Sequence, residues 1–237
     1  ITANEAKSTS NYNFFHNFFY NNCLFKYTFK LTMNLNLNDI TFIIVTYKSE
    51  SIVQQCLDTL PKESKKIIVE NSNNVNLEKD LKPKYDNIEV ILSKNIGMGG
   101  GNNLGLKACK TNFAFILNPD TKFKINSLDN LINSLKTLND FTLASPLNDN
   151  PKVPNYKKKN KNNHPNKNIL SVDSIDGFSM LFNLKNFSNK NYFDENIFLY
   201  LENDDLCLRV KKKGGSIYVI TNSLINHRGS IAVNKNL

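Results

Sequence analysis

From Asp39 onward, apolar runs rich in β-branched residues alternate with stretches that carry apolar residues at helical spacing, and this alternation restricts the fold most strongly. The run "ITFIIVTY" at residues 40–47 is almost continuously apolar, as a parallel strand covered on both faces requires. The next stretch, "SESIVQQCLDTL", has a Ser/Glu start typical of a helix N-terminus and stops before Pro61. Repetition of this pair predicts a single α/β domain over residues 39–237, with helices flanking a mainly parallel, doubly wound sheet.

The same two patterns recur along the rest of the chain and place the other predicted elements. They are strands at 65–72, 87–95, 113–118 and 141–146, helices at 102–110 and 127–138, then a strand near 178–182, a helix from about Asn203 and a strand from Ser216.

Polar side chains stand where each of the first four predicted strands ends. The carboxyl ends of parallel strands meet at one edge of an open sheet, and ligands bind beyond that edge. We therefore expect these polar groups to surround one ligand site. In chain order they are Thr46 and Tyr47, Glu70 and Asn71, Asn95, and Asn118 with Asp120.

A glycine-rich segment, "NIGMGGGNNLGL", joins the third strand to a helix. Gly97 and Gly99 let the backbone approach a ligand closely, and a helix N-terminus favours anionic oxygens. Asn102 stands where the dinucleotide pattern G-x-G-x-x-G has its last glycine, although Asp120 follows at about the distance of a ribose-binding acid. A phosphate site, a dinucleotide site and a plain turn remain alternatives at this point.

The tripeptide Asn118-Pro119-Asp120 places a carboxylate just past a buried strand. Hard cations such as Mg²⁺ and Mn²⁺ take oxygen ligands and bridge phosphates, so an acid held rigid by proline suits such a site. The same three residue types also form ordinary turns, and the tripeptide alone favours the turn.

The net charge of +9 favours anionic partners, but the lysines concentrate at residues 156–167. That stretch is typical of a solvated loop, with a phosphate-facing or membrane-facing patch as the alternative. No nucleic-acid partner is expected, because the lysines do not interleave with aromatic residues along a strand. Four scattered cysteines without a C-x-x-C pair argue against a zinc site or a disulfide framework and fit a reducing cytoplasm.

Residues 1–38 are interpreted as a poorly ordered or non-native extension, because the aromatic and asparagine-rich segment has neither helical nor strand periodicity. Residues 1–32 are expected to be a translation artefact upstream of Met33, with an interfacial membrane anchor as the alternative. The last residues lack a tidy terminal element, so the sequence is also expected to be truncated there.

Seven segments, taken in order, carry a resemblance to a known family. They are "IIVTYKSE", "IIVENS", "KNIGMGGGNNLGL", "FILNPDT", "DGFSMLF", "FDENIFLYLENDDLCLR" and "NHRGS". Each is weak alone, but the ordered set from Ile40 onward resembles the family 2 glycosyltransferases with the GT-A fold, most closely their rhamnosyltransferase-like branch.

This resemblance implies an inverting transfer of a sugar from a nucleotide diphosphate, such as dTDP-rhamnose or a UDP-sugar, to a hydroxyl group. The implied acceptor is a glycan or a lipid-linked molecule, in polysaccharide biosynthesis. The family usually needs Mg²⁺ or Mn²⁺. The implied location is the cytoplasm, with peripheral association at the inner face of the membrane as an expectation.

The resemblance also implies roles for individual residues. Asp120 and His227 become metal ligands, although Asn118 stands where many relatives carry the first acid of an Asp-x-Asp motif. Asp176 and Gly177 become contacts for the donor sugar or the acceptor. The implied nucleotide-binding residues are Thr46, Tyr47, Glu70, Asn71, Asn95, Gly97, Gly99, Asn102 and Asn118.

The segment "LENDDLCLR" offers the general base that an inverting transfer needs. A helix that starts near Asn203 would turn Glu202 and Asp205 toward the cleft together and Asp204 away from it. We expect Glu202 to be the base and Asp205 to position or replace it, with Asp204 in the same acidic group. Asn203 departs from the acid that relatives often carry and cannot act as a base.

A second interpretation keeps the fold but removes the catalysis. Asn118 and Asn203 both replace acids of the family pattern, which is compatible with an inactive module that binds sugar nucleotides or glycans. A dinucleotide-dependent oxidoreductase is the weakest alternative.

Overall fold

The computed structural model describes residues 33–158 and 164–227. Predictions that concern residues 1–32, the middle of the basic loop and the last ten residues therefore lie outside the described residues. Leu35 is fully buried, and Leu37–Asp39 forms a short 3-10 helix, so residues just before Asp39 pack with the domain.

The described elements follow the predicted succession of strands and helices. The strands are β1 Ile40–Thr46, β2 Lys65–Glu70, β3 Ile88–Leu92, β4 Phe113–Leu117, β5 Thr121–Phe123, β6 Leu143–Asn148, β7 Tyr156–Lys157, β8 Ile169–Ser171, β9 Ser174–Ile175, β10 Ser179–Asn183 and β11 Ile217–His227. The helices are α1 Glu50–Leu57, α2 Leu77–Leu81, α3 Gly97–Ala108, α4 Ser127–Leu135 and α5 Glu202–Lys212, with 3-10 turns at Leu184–Asn186 and Ser188–Lys190.

The central sheet has nine strands within the described residues, in the order β3-β2-β1-β4-β10-β6-β11-β5, with β8 also paired to β11. Six strands, β1 to β4, β6 and β11, point the same way, because β10 is antiparallel to both β4 and β6 while β11 is parallel to β6. Only β5, β8 and β10 oppose them among the nine. The predicted mainly parallel sheet is confirmed.

Two apolar clusters cover the two faces of this sheet, as the strand pleat dictates. In β1, Phe42 and Ile44 join one cluster with residues of α1, α2 and α4. Ile43 and Val45 point to the other face and join residues of α3 and α5. Because both faces are covered, the central strands β1, β4 and β10 are fully buried, and β1 and β4 appear in the sequence as apolar runs without polar alternation.

The helix α3 begins earlier than expected, at Gly97 instead of Asn102, so the glycine-rich segment is itself helical. Its glycines permit close packing on the sheet: a Cβ atom on Gly105 would lie 2.3 Å from Cγ2 of Ile43. Helix α5 likewise begins at Glu202, one residue before the expected start.

Among the described residues, each helix is too short or too polar to cross a membrane.

Candidate active site

A cavity of about 490 Å³ opens at the carboxyl edge of the sheet. It lies where β4 ends, β10 begins, α5 begins and β11 reaches its last described residue. The two halves of the sequence therefore meet at this cavity. Its walls comprise Met98, Asn118, Asn148, Asn150, Val153, residues 176–178, residues 199–203 and His227.

Asp120 and His227 lie side by side at this edge, with Oδ1 of Asp120 3.3 Å from Nε2 of His227. The pairing of β5 with β11 sets this contact, because His227 stands opposite Thr121 in the register. The imidazole also stacks on Phe178, with ring centroids 4.1 Å apart, and Nδ2 of Asn118 lies 3.5 Å from Nε2. The ring is thus fixed from three sides.

Carboxylate and imidazole together are a donor set that suits a divalent cation. The described residues contain no group of three or more His, Cys, Asp or Glu side chains that could enclose a metal. A cation held by Asp120 and His227 would therefore take further ligands from water or from a phosphate of a bound molecule. The residues fit a shared site between protein and ligand, and not an enclosed metal centre.

Glu202 is the first residue of α5, and its side chain lies in the cavity wall, almost fully buried. Its Oε2 atom has no hydrogen-bond partner among the described residues. Burial raises the pKa of this carboxyl group, its own backbone N–H lowers the pKa, and the charge of Asp204 raises it further. A buried carboxyl group whose second oxygen has no hydrogen-bond partner can accept a proton from a ligand.

The other acids of this helix are bound elsewhere, which corrects the expected arrangement. Oδ2 of Asp205 accepts a hydrogen bond of 2.8 Å from Nε of Arg209, one turn along the helix, and Asp205 is not part of the cavity wall. Asp204 pairs with Nζ of Lys157 at 2.8 Å. Glu202 and Asp205 therefore do not face the cleft together, because the ion pair with Arg209 holds the Asp205 carboxylate along the helix and outside the cavity wall. Asn203 uses its amide to donate to the carbonyl of Ile175.

Asp176 and Gly177 both line the cavity, beside Glu202. Burial raises the pKa of Asp176, and Asp204 raises it further, while Lys157 and His227 oppose the shift. A Cβ atom on Gly177 would lie 3.4 Å from Cβ of Asn203 and 3.7 Å from Oε1 of Glu202. The Asp-Gly pair therefore forms the wall against which the start of α5 packs.

Thr46 and Glu70 join the ends of β1 and β2. Oγ1 of Thr46 donates to Oε2 of Glu70 at 2.5 Å, and Ser72 donates to Oε1 through its backbone N–H at 2.8 Å and also through its hydroxyl group. Thr46 and Glu70 are both fully buried. Glu70 therefore holds Ser72 and Thr46 at the sheet edge, and its expected nucleotide contact stays a prediction.

The remaining predicted nucleotide residues lie around the start of α3. Asn71 donates to the carbonyl of Gly97 at 3.0 Å, and Oδ1 of Asn95 accepts from the N–H of Gly97 at 3.3 Å. These contacts hold Gly97 at a positive φ of 79°, a conformation that glycine adopts without strain. Gly99 and Asn102 are buried in the first turns of α3, and Oδ1 of Asn102 has no partner among the described residues. Tyr47 stays exposed at the end of β1.

Asn103 is a residue that sequence reasoning missed. Its amide donates to the carbonyl of Phe193 at 2.9 Å and to Oε1 of Glu195 at 2.9 Å, and its Oδ1 accepts from the N–H of Phe193 at 3.0 Å. The N–H of Met98 donates to the carbonyl of Phe198 at 2.9 Å. Helix α3 therefore clamps the loop that leads into Glu202, a link across 90 residues that local sequence patterns do not reveal.

Comparison with known proteins identifies a family model and several named transferases to which the chain is similar. Residues 41–204 match the family described as Glycosyl transferase family 2. The chain is 27% identical over 205 residues to the low-salt glycan biosynthesis hexosyltransferase Agl10 of Haloferax volcanii, covering 76% of this chain and 64% of that protein. It is 26% identical over 211 residues to the rhamnosyltransferase WbbL of Escherichia coli, covering 76% of this chain and 80% of that protein.

Solved structures with the same fold share little sequence with this chain. GalNAc-T7, solved with UDP, GalNAc and Mn²⁺, superposes with a TM-score of 0.69 at 12% identity, covering 82% of this chain and 44% of that one. The mannosyltransferase PcManGT of Pyrobaculum calidifontis, solved with GDP-Man and Mn²⁺, gives 0.60 at 12% identity, covering 84% and 62%. These likenesses establish the predicted GT-A fold.

Proposed function

The chain belongs to glycosyl transferase family 2, and from that premise we propose that it transfers a sugar from a nucleotide diphosphate to a hydroxyl group of an acceptor. The named relatives, a hexosyltransferase and a rhamnosyltransferase, support this class of reaction. Inversion at the anomeric carbon is part of the proposal, because a single base carboxylate suits one direct displacement.

One observation carries the proposal: a single cavity is lined by Glu202, with an unpartnered carboxylate oxygen, and by His227, which contacts Asp120. A transfer of this kind needs a base at the attacking hydroxyl and positive charge at the leaving diphosphate. Glu202 is suited to act as the base, and His227 with Asp120 is suited to hold the positive charge as a cation.

We assign the proton transfer to Glu202, whose raised pKa makes it a stronger base than an exposed glutamate once it is ionised. Asp120 and His227 would hold Mg²⁺ or Mn²⁺, which offsets the charge of the diphosphate when it is bound. Asp176 and Gly177 would contact the donor sugar or the acceptor.

The donor nucleotide would lie against residues that frame the sheet edge and the start of α3. Gly97 and Gly99 lie in the first turn of α3, whose N-terminus would favour the anionic diphosphate, and Tyr47 offers an exposed ring to the base. The other residues assigned to the nucleotide are Thr46, Glu70, Asn71, Asn95, Asn102 and Asn118.

For the substrates, we propose dTDP-rhamnose or a UDP-sugar as donor and a glycan or lipid-linked molecule as acceptor. The rhamnosyltransferase and glycan-biosynthesis relatives support these classes. The proposed setting is polysaccharide biosynthesis in the cytoplasm, at the inner face of the membrane.

The test is release of nucleoside diphosphate from a panel of sugar nucleotides with Mn²⁺ and candidate acceptors. We expect Glu202→Gln to lower kcat at least about 100-fold, the lower range for a lost general base. Asp120→Asn should also lower kcat, because the cation at the diphosphate loses a charged ligand. Asp129→Asn and Glu63→Gln make the same chemical changes at exposed positions that do not line the cavity and should leave turnover intact. Full turnover by both site variants would refute the assignment.

A second function, an inactive module that binds sugar nucleotides, is favoured by one observation. Asn203 replaces an acid of the family pattern and uses its amide to donate to the carbonyl of Ile175. Calorimetry with nucleoside diphosphates and Mn²⁺, run beside the turnover assay, separates the two functions. Binding without product in the unmodified protein would favour the module.

A further inference from the structure

Five large apolar side chains are exposed together at the mouth of the cavity. They are Val153 and residues 198–201, which we call the apolar rim, with exposures between 47% and 67%. Eleven large apolar side chains are exposed in the described residues, so nearly half of them gather here. Four members of the rim line the cavity itself, and Glu202 directly follows its last residue.

The backbone of the rim is held in position from inside the domain. The carbonyl of Phe198 accepts from the N–H of Met98 at 2.9 Å, and the carbonyl of Leu201 accepts from the N–H of Asp205 at 2.9 Å. Hydrogen bonds to the rest of the domain therefore hold the segment that carries these apolar side chains.

Two members of the rim also adopt an unfavourable backbone conformation. Tyr200 and Leu201 have φ values of 65° and 69°, a region that bulky side chains rarely occupy. Surrounding contacts must stabilise this geometry, and such strain is concentrated at functional segments. The strained pair places an aromatic ring and a branched aliphatic side chain at the cavity mouth.

We propose that the apolar rim binds a hydrocarbon group of the acceptor, so that the acceptor is an amphipathic glycoside or glycolipid. This inference rests on the proposed function, because it takes Glu202 as the base. The acceptor's reacting hydroxyl lies at Glu202, and the group that continues from its sugar leaves the cavity over residues 199–201.

The position of the rim favours a bound ligand over a flat membrane surface. Leu199, Tyr200 and Leu201 form part of the cavity wall, so an occupant of the rim is continuous with an occupant of the cavity. The cavity lining also includes the polar side chains of Asn148 and Asn150, which suit the sugar portion of the same molecule.

The experiment measures binding of methyl, hexyl and octyl glycosides of one sugar by calorimetry, below their micelle concentrations, with nucleoside diphosphate and Mn²⁺ present. We expect Kd to fall roughly two- to fourfold for each added methylene that the rim covers. Equal affinity for the methyl and octyl glycosides would overturn the proposal.

Two rim variants and one control test whether the dependence of Kd on alkyl-chain length comes from the apolar rim. Leu199→Ser and Tyr200→Asn remove apolar area, and asparagine tolerates the positive φ at position 200. Both should remove most of the dependence on chain length. Leu208→Ser removes an equally exposed leucine from α5 that does not line the cavity, and it should preserve the dependence.

Other occupants give different results in the same set of proteins. If the rim variants abolish sedimentation with anionic vesicles but leave glycoside binding unchanged, the occupant is a bilayer surface and the proposal is overturned. If they change only the mass measured by light scattering, the occupant is a second copy and the proposal is likewise overturned. Turnover is scored separately, so chain-length-dependent binding without product would refute the transferase assignment and leave the rim as a hydrocarbon site.

Discussion

At the residue scale, the chemistry depends on how the environment of Glu202 differs from that of its neighbours. Asp204 and Asp205 have cationic partners, Lys157 and Arg209, whereas Glu202 is buried with an unpartnered oxygen. Burial disfavours the ionised form of a carboxyl group, so the pKa of Glu202 is raised. The same helix therefore carries two paired acids and one acid suited to proton transfer.

The raised pKa of Glu202 gives a testable pH dependence. A general base acts when it is ionised, so kcat/KM should rise as pH increases through this pKa, above the ordinary glutamate value of 4.5. Asp204→Asn removes a negative charge that raises the pKa, so the acidic limb should move to lower pH. The measurement is a pH profile of kcat/KM for the unmodified protein and this variant.

The control for this shift is Asp129→Asn, which removes an equal charge at an exposed position outside the cavity wall. Its acidic limb should coincide with that of the unmodified protein. Asp176 also has a raised pKa and lines the cavity, so it is the rival base. An acidic limb that persists in the residual activity of Glu202→Gln would transfer the role to Asp176.

At the element scale, helix α3 connects the donor side of the cavity to the loop before Glu202. Its first turn lies at the sheet edge, and the side-chain amide of Asn103 in its second turn donates to the carbonyl of Phe193 and accepts from its N–H. The N–H of Met98 holds the carbonyl of Phe198 further along the same loop. The helix thus supports the segment that positions the base.

Asn103→Ala removes this support and should affect the acceptor more than the donor. We expect kcat/KM for the acceptor to fall about 10- to 100-fold, because small displacements of a catalytic group are costly. Affinity for the nucleoside diphosphate, measured by calorimetry, should stay within about twofold of the unmodified protein. This split between acceptor kinetics and donor binding is the readout that a general loss of stability would not produce.

Asn130→Ala is the matched control, because Asn130 also donates from a helix to a distant backbone carbonyl, that of Asn222, at 2.8 Å. It lies on α4, outside the cavity wall, and its loss should leave acceptor kinetics unchanged. Equal effects of the two variants would reduce Asn103 to an ordinary structural hydrogen bond.

The elements were predictable where burial imposes a pattern and unpredictable where contacts are distant. Strand β1 reads as a buried run because both faces of the sheet are covered. The start of α3 was misplaced because Gly97 and the glycines after it have low helix propensity, which close packing on Ile43 overrides. The role of Asn103 escaped prediction because its partner Phe193 follows 90 residues later.

The candidate site was likewise predictable from the sequence only in part. Asp120 was placed from a strand end and His227 from family resemblance, and their contact depends on the register between β5 and β11. Periodicity does not specify that register, because β5 has only three residues. The position of Asp205 was not predictable from its i,i+3 spacing to Glu202, because that spacing does not reveal the competing ion pair with Arg209 at i+4.

At the scale of the whole molecule, the last described strand completes a site begun in the first half of the sequence. Strand β11 lies between β6 and β5, so it brings His227 to Asp120 across more than 100 residues. A ligand that engages both residues connects distant parts of the chain, and the free energy of its binding adds to the free energy of unfolding.

This connection predicts a thermal shift that needs cation and nucleotide together. At 100 times its Kd, a ligand of the folded state adds about 2.7 kcal/mol, which raises Tm by roughly 5–10 °C in a domain of this size. We expect Mn²⁺ with nucleoside diphosphate to produce this shift in the unmodified protein and in His164→Ala, whose imidazole lies outside the cavity wall. His227→Ala should retain only the shift that nucleotide gives without metal, since one cation ligand is lost. A full Mn²⁺-dependent shift in His227→Ala would mean that the cation binds without β11, and the two halves of the chain would then not share a metal site.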